Sequence, residues 1–99
     1  MTGDGFRVGT DGPDTVMVSG TLGFATAAAA LKALDAALAQ GNRGRLDLAG
    51  VDVCDSAGLA CVLAALAGAS GRGHGVRVAH APDGMLALAQ VSGVASLLG

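Results

Sequence analysis

The sequence predicts an α/β domain built on a mixed sheet, in the order β-β-α-β-α-β-α, and two patterns carry that expectation. One is an opening hairpin: residues 6–10 and 15–19 read as short strands around Asp11-Gly12-Pro13-Asp14, a strong turn signal. The other is a steady alternation of helix and strand from there to the end of the chain. Strands that alternate with helices are joined by parallel crossovers, and the hairpin supplies an antiparallel edge.

Each element has its own reason. Thr15-Val16-Met17-Val18-Ser19 is rich in β-branched residues, which suit a pleated surface. Gly20-Thr21-Leu22-Gly23 is expected to break that strand. Residues 24–40 follow, FATAAAALKALDAALAQ, where Leu31, Leu34 and Leu38 recur at three- and four-residue spacing with Lys32 and Asp35 off the stripe. Gly41 is placed to stop this helix. After the turn Gly41-Asn42-Arg43-Gly44, residues 45–49 form the central strand. Residues 57–69 read as a helix that is apolar almost all round and leaves through Ser70-Gly71-Arg72-Gly73. Such a helix is either enclosed by its own domain or completes its burial against another one. In a chain of 99 residues the second reading gains weight. Residues 76–79 give a further strand, Pro82 fits the N1 position of a helix, residues 85–90 make that short helix, and residues 94–98 close the chain as a last turn.

Composition narrows the function. A chain of this length is expected to be a single domain over residues 1–99, burying about 60–65 % of its unfolded surface. Hydrophobic residues make up 52 % and charged ones 14 %, which excludes disorder. The core is packed by Ala, Val and Leu, because there are two Phe and no Tyr or Trp. So few aromatic platforms argue against single-stranded nucleic-acid binding, and a net charge of −2 gives no basic footprint for nucleic acid or anionic lipid. Cys54 and Cys61 lie seven residues apart, with no zinc spacing and no neighbouring His, and read as small buried hydrophobes of a reducing compartment. The amino terminus carries no apolar signal stretch and no run reaches the ~18 residues of a membrane span, so a soluble, cytoplasmic protein without direct membrane insertion is expected.

The stretch around which the rest is organised is residues 45–66, RLDLAGVDVCDSAGLACVLAAL: a buried strand, a sharp polar turn, and an apolar helix. Ser56 falls where the helix begins. The plain role of a hydroxyl there is an N-cap. The same place offers a partner's polar group, or an added phosphate, the exposed amides and positive dipole end of a helix. Leu22 and Phe24 are expected beside it, since loops at the same ends of neighbouring strands converge, and Phe24 also reads as a staple on the first helix.

No catalytic set emerges. His74 and His80 have no acid or nucleophile at a recognisable spacing. Asp47, Asp52 and Asp55 supply enough oxygen for Mg²⁺, but solvent-facing and turn-capping roles fit Asp47 and Asp52 better. The Gly-rich residues 68–75 follow a helix and precede a strand, the reverse of a phosphate-binding loop. Ser56 lacks the G-x-S-x-G context of a nucleophile elbow. No enzyme, cofactor or metal site is expected.

Two motifs, Asp47-Leu48-Ala49-Gly50-Val51 and Asp55-Ser56-Ala57-Gly58-Leu59, make the sequence resemble the STAS domain, the module of sulfate transporters and anti-sigma factor antagonists. The resemblance implies a STAS-like mixed sheet with an opening antiparallel hairpin. It also carries two functional branches. Three segments are similar to the MlaB-type STAS subunit of the Mla phospholipid ABC transporter: Gly20-Thr21-Leu22-Gly23-Phe24-Ala25-Thr26, then Asp55 to Ala60, then Pro82, Met85, Leu88-Ala89 and Val91-Ser92-Gly93. That branch implies docking on the cytoplasmic ATPase subunit, with its permease, through Asp55, Ser56, Ala57, Gly58, Leu59, Leu22 and Phe24. The protein would then lie in the cytoplasm, peripheral to the inner membrane through its partner. The alternative is an anti-sigma factor antagonist whose Ser56 is the phosphosite of an anti-sigma kinase. The chain departs from that pattern at Gly23, Ala57 and Ala60, and the transporter branch is placed first.

Overall fold

The computed structural model describes residues 5–40, 43–73 and 75–98. Its strands are β1 (Phe6–Thr10), β2 (Thr15–Leu22), β3 (Arg45–Cys54) and β4 (Arg77–Ala79); its helices are α1 (Ala27–Leu38), α2 (Ser56–Gly71) and α3 (Asp83–Val91), with a closing 3₁₀ turn over Ala95–Leu98. The expected order is the observed one. The sheet runs β1-β2-β3-β4, with β1 antiparallel to β2 and the other two pairings parallel.

The period of two decides which face is buried. Val16 and Val18 of β2 and Leu46 and Leu48 of β3 are essentially inaccessible, while their neighbours Met17, Arg45 and Ala49 are exposed and Asp47 is half-buried. The helices cover the first set: α1 packs on β1 and β2, α2 on β2 and β3, and α3 on β3, with α2 touching both other helices. Leu34 and Leu38 of α1, Val62 and Ala65 of α2 and Met85 of α3 complete one core. Small side chains let these layers approach closely, so each methylene removed leaves a void.

Several boundaries differ from the sequence reading, and four of the differences have a physical reason in the structure. The glycine at position 20 does not break β2. It takes φ +92°, where a Cβ would run into the Gly5 carbonyl, and the strand continues to Leu22 through two register shifts against β3. Likewise β3 runs five residues past Ala49: a register shift against β2 between Asp47 and Gly50 puts Val51, one residue out of the alternation, back into the core. Helix α1 starts at Ala27 rather than Phe24: the Thr26 hydroxyl holds residues 23–26 as a turn, donating to the Thr21 carbonyl (2.9 Å) and accepting from the Gly23 N–H (3.0 Å). Pro82 is the N-cap of α3, not its first residue, with ψ 151° and its carbonyl accepting from the Leu86 N–H at 3.0 Å. The stop expected at Gly41 lies outside the described residues, as does His74.

The outward row of α2 is Ala60, Ala64 and Ala67, all exposed, while Leu59, Val62, Ala65 and Ala69 are buried. The domain thus encloses most of this helix and leaves one alanine stripe uncovered. Because Leu48 is fully buried between sheet and helices, Leu48→Ala should cost about 2–5 kcal/mol. Urea titration checks this, with a lower midpoint at unchanged slope expected.

Candidate functional site

The site forms where β3 ends. Asp55, not Ser56, is the N-cap of α2, so the capping role expected of Ser56 is corrected. The reason is one of reach: Asp55 has the extended backbone of a cap (φ −111°, ψ −172°), and its carboxylate folds forward onto the first helical turn. Oδ1 accepts from the Gly58 N–H at 3.0 Å, while Oδ2 accepts from the Phe24 N–H, also at 3.0 Å. The Asp55 N–H in turn donates to the Leu22 carbonyl at 3.3 Å. One side chain therefore caps α2 and pins the β2–α1 loop to it. These N–H groups, Gly58 first and then Phe24, hold the Asp55 carboxyl below its usual range.

Ser56 is left as the first residue of α2, exposed, its hydroxyl without a hydrogen bond among the described residues. Phe24, one of the two aromatic residues of the chain, is 88 % exposed, an unusual position for a large apolar side chain. With Thr26 anchoring its loop from β2 and Asp55 from α2, the ring stands at the mouth of a shallow groove of about 460 Å³ between α1 and α2. Ala28 and Leu31 form one wall, and Ala57, Ala60 and Ala64 the other.

The remaining candidates sort by burial. Asp55, Ser56, Phe24 and the half-buried Ala57 reach the surface. Leu22, Gly58 and Leu59 do not: Leu22 is fully buried, Leu59 is 4 % exposed and Gly58 is buried. They build the site from beneath. A Cβ on Gly58 would collide with the Leu22 carbonyl, so the helix comes this close to β2 only because position 58 is glycine.

Away from this site, Asp47 and His80 meet, a pairing the sequence reading missed. His80 Nδ1 lies 3.2 Å from Asp47 Oδ1, which also accepts from the Ala49 N–H at 2.9 Å. The Ala49 N–H, and then His80, lower the Asp47 carboxyl. Thirty-three residues separate the two in sequence; the parallel pairing of β3 and β4 joins them, and no local spacing could have signalled it. His80 sits at φ +58°, a left-handed turn position that ends β4. Burial pushes the thiols of Cys54 and Cys61 up, and both cysteines are free. Among the described residues no three metal-ligating side chains converge, and no helix is long and apolar enough to cross a membrane.

A family model described as "Mlab, STAS domain" matches residues 7–99. The chain belongs to this MlaB-type STAS family. Solved STAS structures share its fold. SpoIIAA, an anti-sigma factor antagonist, in its unphosphorylated form superposes with a TM-score of 0.70 at 16 % identity over 94 % of this chain and 84 % of that one. The phosphorylated form of SpoIIAA, a Bacillus cell fate determinant, gives 0.66 at 18 % identity over 94 % and 87 %. A sulfate transporter family protein from Wolinella succinogenes gives 0.65 at 19 % identity over 87 % and 70 %. A search of curated proteins finds no significant match.

Two outcomes follow from the double role of Asp55. A carboxyl held below its usual range stabilises the fold above that range and loses its effect as pH falls through the lowered value. The Phe24 and Gly58 amide resonances should therefore titrate together, at a pH below that of an ordinary aspartate. Gly58→Ala should destabilise by about 1–3 kcal/mol through overpacking against Leu22, read from thermal unfolding.

Proposed function

We propose that this chain is a non-catalytic STAS subunit that docks on and supports the cytoplasmic ATPase of an Mla-type phospholipid ABC transporter. The observation that carries the reading is the surface around Ser56: an unengaged hydroxyl at a helix start, beside an almost fully exposed Phe24 and an alanine-lined groove. The match to an MlaB-type family model over residues 7–99 supports the choice of partner. Ser56, Asp55 and Ala57 would face the ATPase, Phe24 would be the aromatic anchor, and Leu22, Gly58 and Leu59 would hold them in place. The protein would sit in the cytoplasm, at the inner membrane through its ATPase and permease.

The chemistry of the surface suits a lasting contact. Aromatic side chains seated against small apolar residues are the usual source of interface energy, and a neutral hydroxyl costs little to desolvate when it finds a partner. The antagonist reading keeps support from one observation, the accessibility of Ser56. Phosphorylation would add about −1.5 to −2 charges next to the Asp55 carboxylate, which already holds the Gly58 amide a phosphate would seek.

Co-purification from detergent-solubilised native membranes tests the proposal. The expected result is capture of an ABC ATPase and permease, with Ser56 unmodified. Phe24→Ala should weaken the complex at least about tenfold, and Ser56→Glu should abolish it, with the circular dichroism of the free domain unchanged in both. Capture of a soluble kinase with phosphorylated Ser56 would overturn the transporter reading. Loss of folding in step with loss of binding would remove the docking role of these residues.

A further inference from the structure

A second polar feature lies at the other end of the sheet. Strand β3 starts at Arg45 and ends at Cys54, and at about 3.3 Å per residue its ends lie about 30 Å apart. Nothing at the starting end belongs to the Asp55 site. There Arg45 stands directly opposite Arg77 in the parallel β3/β4 ladder. Opposed residues point to the same side, and neighbouring strands lie about 4.8 Å apart, so the two arginines rise together. Both are exposed, on the sheet face opposite the buried Leu46 and Leu48.

Like charges directly opposite one another in a ladder destabilise it. Here nothing compensates fully. Among the described residues the ion pair is that of His80 with Asp47, and neither arginine takes part in one. Asp47 does feel the Arg45 charge, but its Oδ1 is engaged by the Ala49 N–H and His80. The other carboxylate is Asp14. Its Oδ1 accepts from the Thr15 hydroxyl at 3.1 Å, and its carbonyl accepts from the N–H groups of Gly44 and Arg45, which fixes it at the start of β2. Asp14, Gly44, Arg45, Arg77, Val78 and Ala79 line a cavity of about 470 Å³. Two arginines and one aspartate thus border a space large enough for a small molecule.

We propose that this cavity binds a phosphate group, with Arg45 and Arg77 as a two-guanidinium clamp. The planar fork of each guanidinium matches phosphate oxygens bidentately, and an anionic phosphate between them, monoester or diester, turns the unfavourable opposition of the arginines into a favourable one. The volume exceeds that of a phosphate and leaves room for the group it is esterified to. Asp14 sits where it accepts a hydrogen bond from a hydroxyl of that group. The phosphate comes either from a soluble monoester or from the headgroup of an anionic phospholipid.

Nuclear magnetic resonance of the labelled protein tests this, with inorganic phosphate and glycerol 3-phosphate as probes against chloride at equal ionic strength. Saturable shifts should centre on the Gly44, Arg45 and Arg77 amides. Arg45→Gln and Arg77→Gln should each weaken binding about tenfold or more, and Asp14→Asn should tighten inorganic phosphate several-fold by removing a like charge. Should either glutamine variant fail to fold, Arg→Lys at the same position keeps the charge, loses the fork and should still weaken binding. Flotation with phosphatidylglycerol vesicles separates the sources: arginine-dependent flotation assigns the lipid headgroup, and phosphate binding without it assigns the soluble ester. Shifts that chloride reproduces, or that persist in the variants, together with no arginine-dependent flotation, would overturn the proposal. A failure of ATPase docking leaves this result untouched, because no residue is shared.

Discussion

The structure turns on one carboxylate. Asp55 accepts hydrogen bonds from two backbone N–H groups that belong to different elements, Gly58 in the first turn of α2 and Phe24 in the loop before α1. A helix start leaves its first N–H groups without partners, and a loop over a small domain has the same deficit. Asp55 meets both needs at once. Those two hydrogen bonds hold the Phe24 backbone at the mouth of the α1/α2 groove and leave the Ser56 hydroxyl out of the helix cap.

The arrangement depends on small residues at the contacts. The glycine at position 58 admits the Leu22 carbonyl where any side chain would collide, so the end of β2 and the start of α2 share one tight junction. Beneath it Leu22 and Leu59 supply apolar mass, and along α2 the alanines let α1 lie close. A chain that packs with Ala, Val and Leu instead of large aromatics gains close approach of layers but little area per residue. It can then spare one of its two phenylalanines for the surface.

The sheet separates two kinds of surface. Its covered face, with Val16, Val18, Leu46 and Leu48, makes the core. Its open face carries Arg45, Asp47 and Arg77, where the charges meet across strands that are distant in sequence. At the carboxyl end of β3 the surface is apolar with a hydroxyl; at the amino end it is cationic. The first is shaped by the Asp55 cap and the exposed Phe24, and the second follows from the β3/β4 register.

Much was legible beforehand. The order of elements, the opening hairpin and the leucine stripe of α1 follow from periodicity and turn chemistry, which are local properties. So does the strand–turn–helix junction at Asp55-Ser56. What the residues could not reveal by themselves was non-local. Gly20 reads as a breaker until the bulged pairing with β3 carries the strand through it. Ser56 reads as a cap until Asp55 takes the helix amide with one oxygen and reaches a loop thirty-one residues away with the other. Leu22 reads as a contact residue until packing buries it. Arg45 and Arg77, like Asp47 and His80, are scattered charges in the sequence and neighbours only in the parallel ladder. The chain alone determines which segments become strands and helices. Register and packing, which depend on all of them together, decide which side chains remain for function.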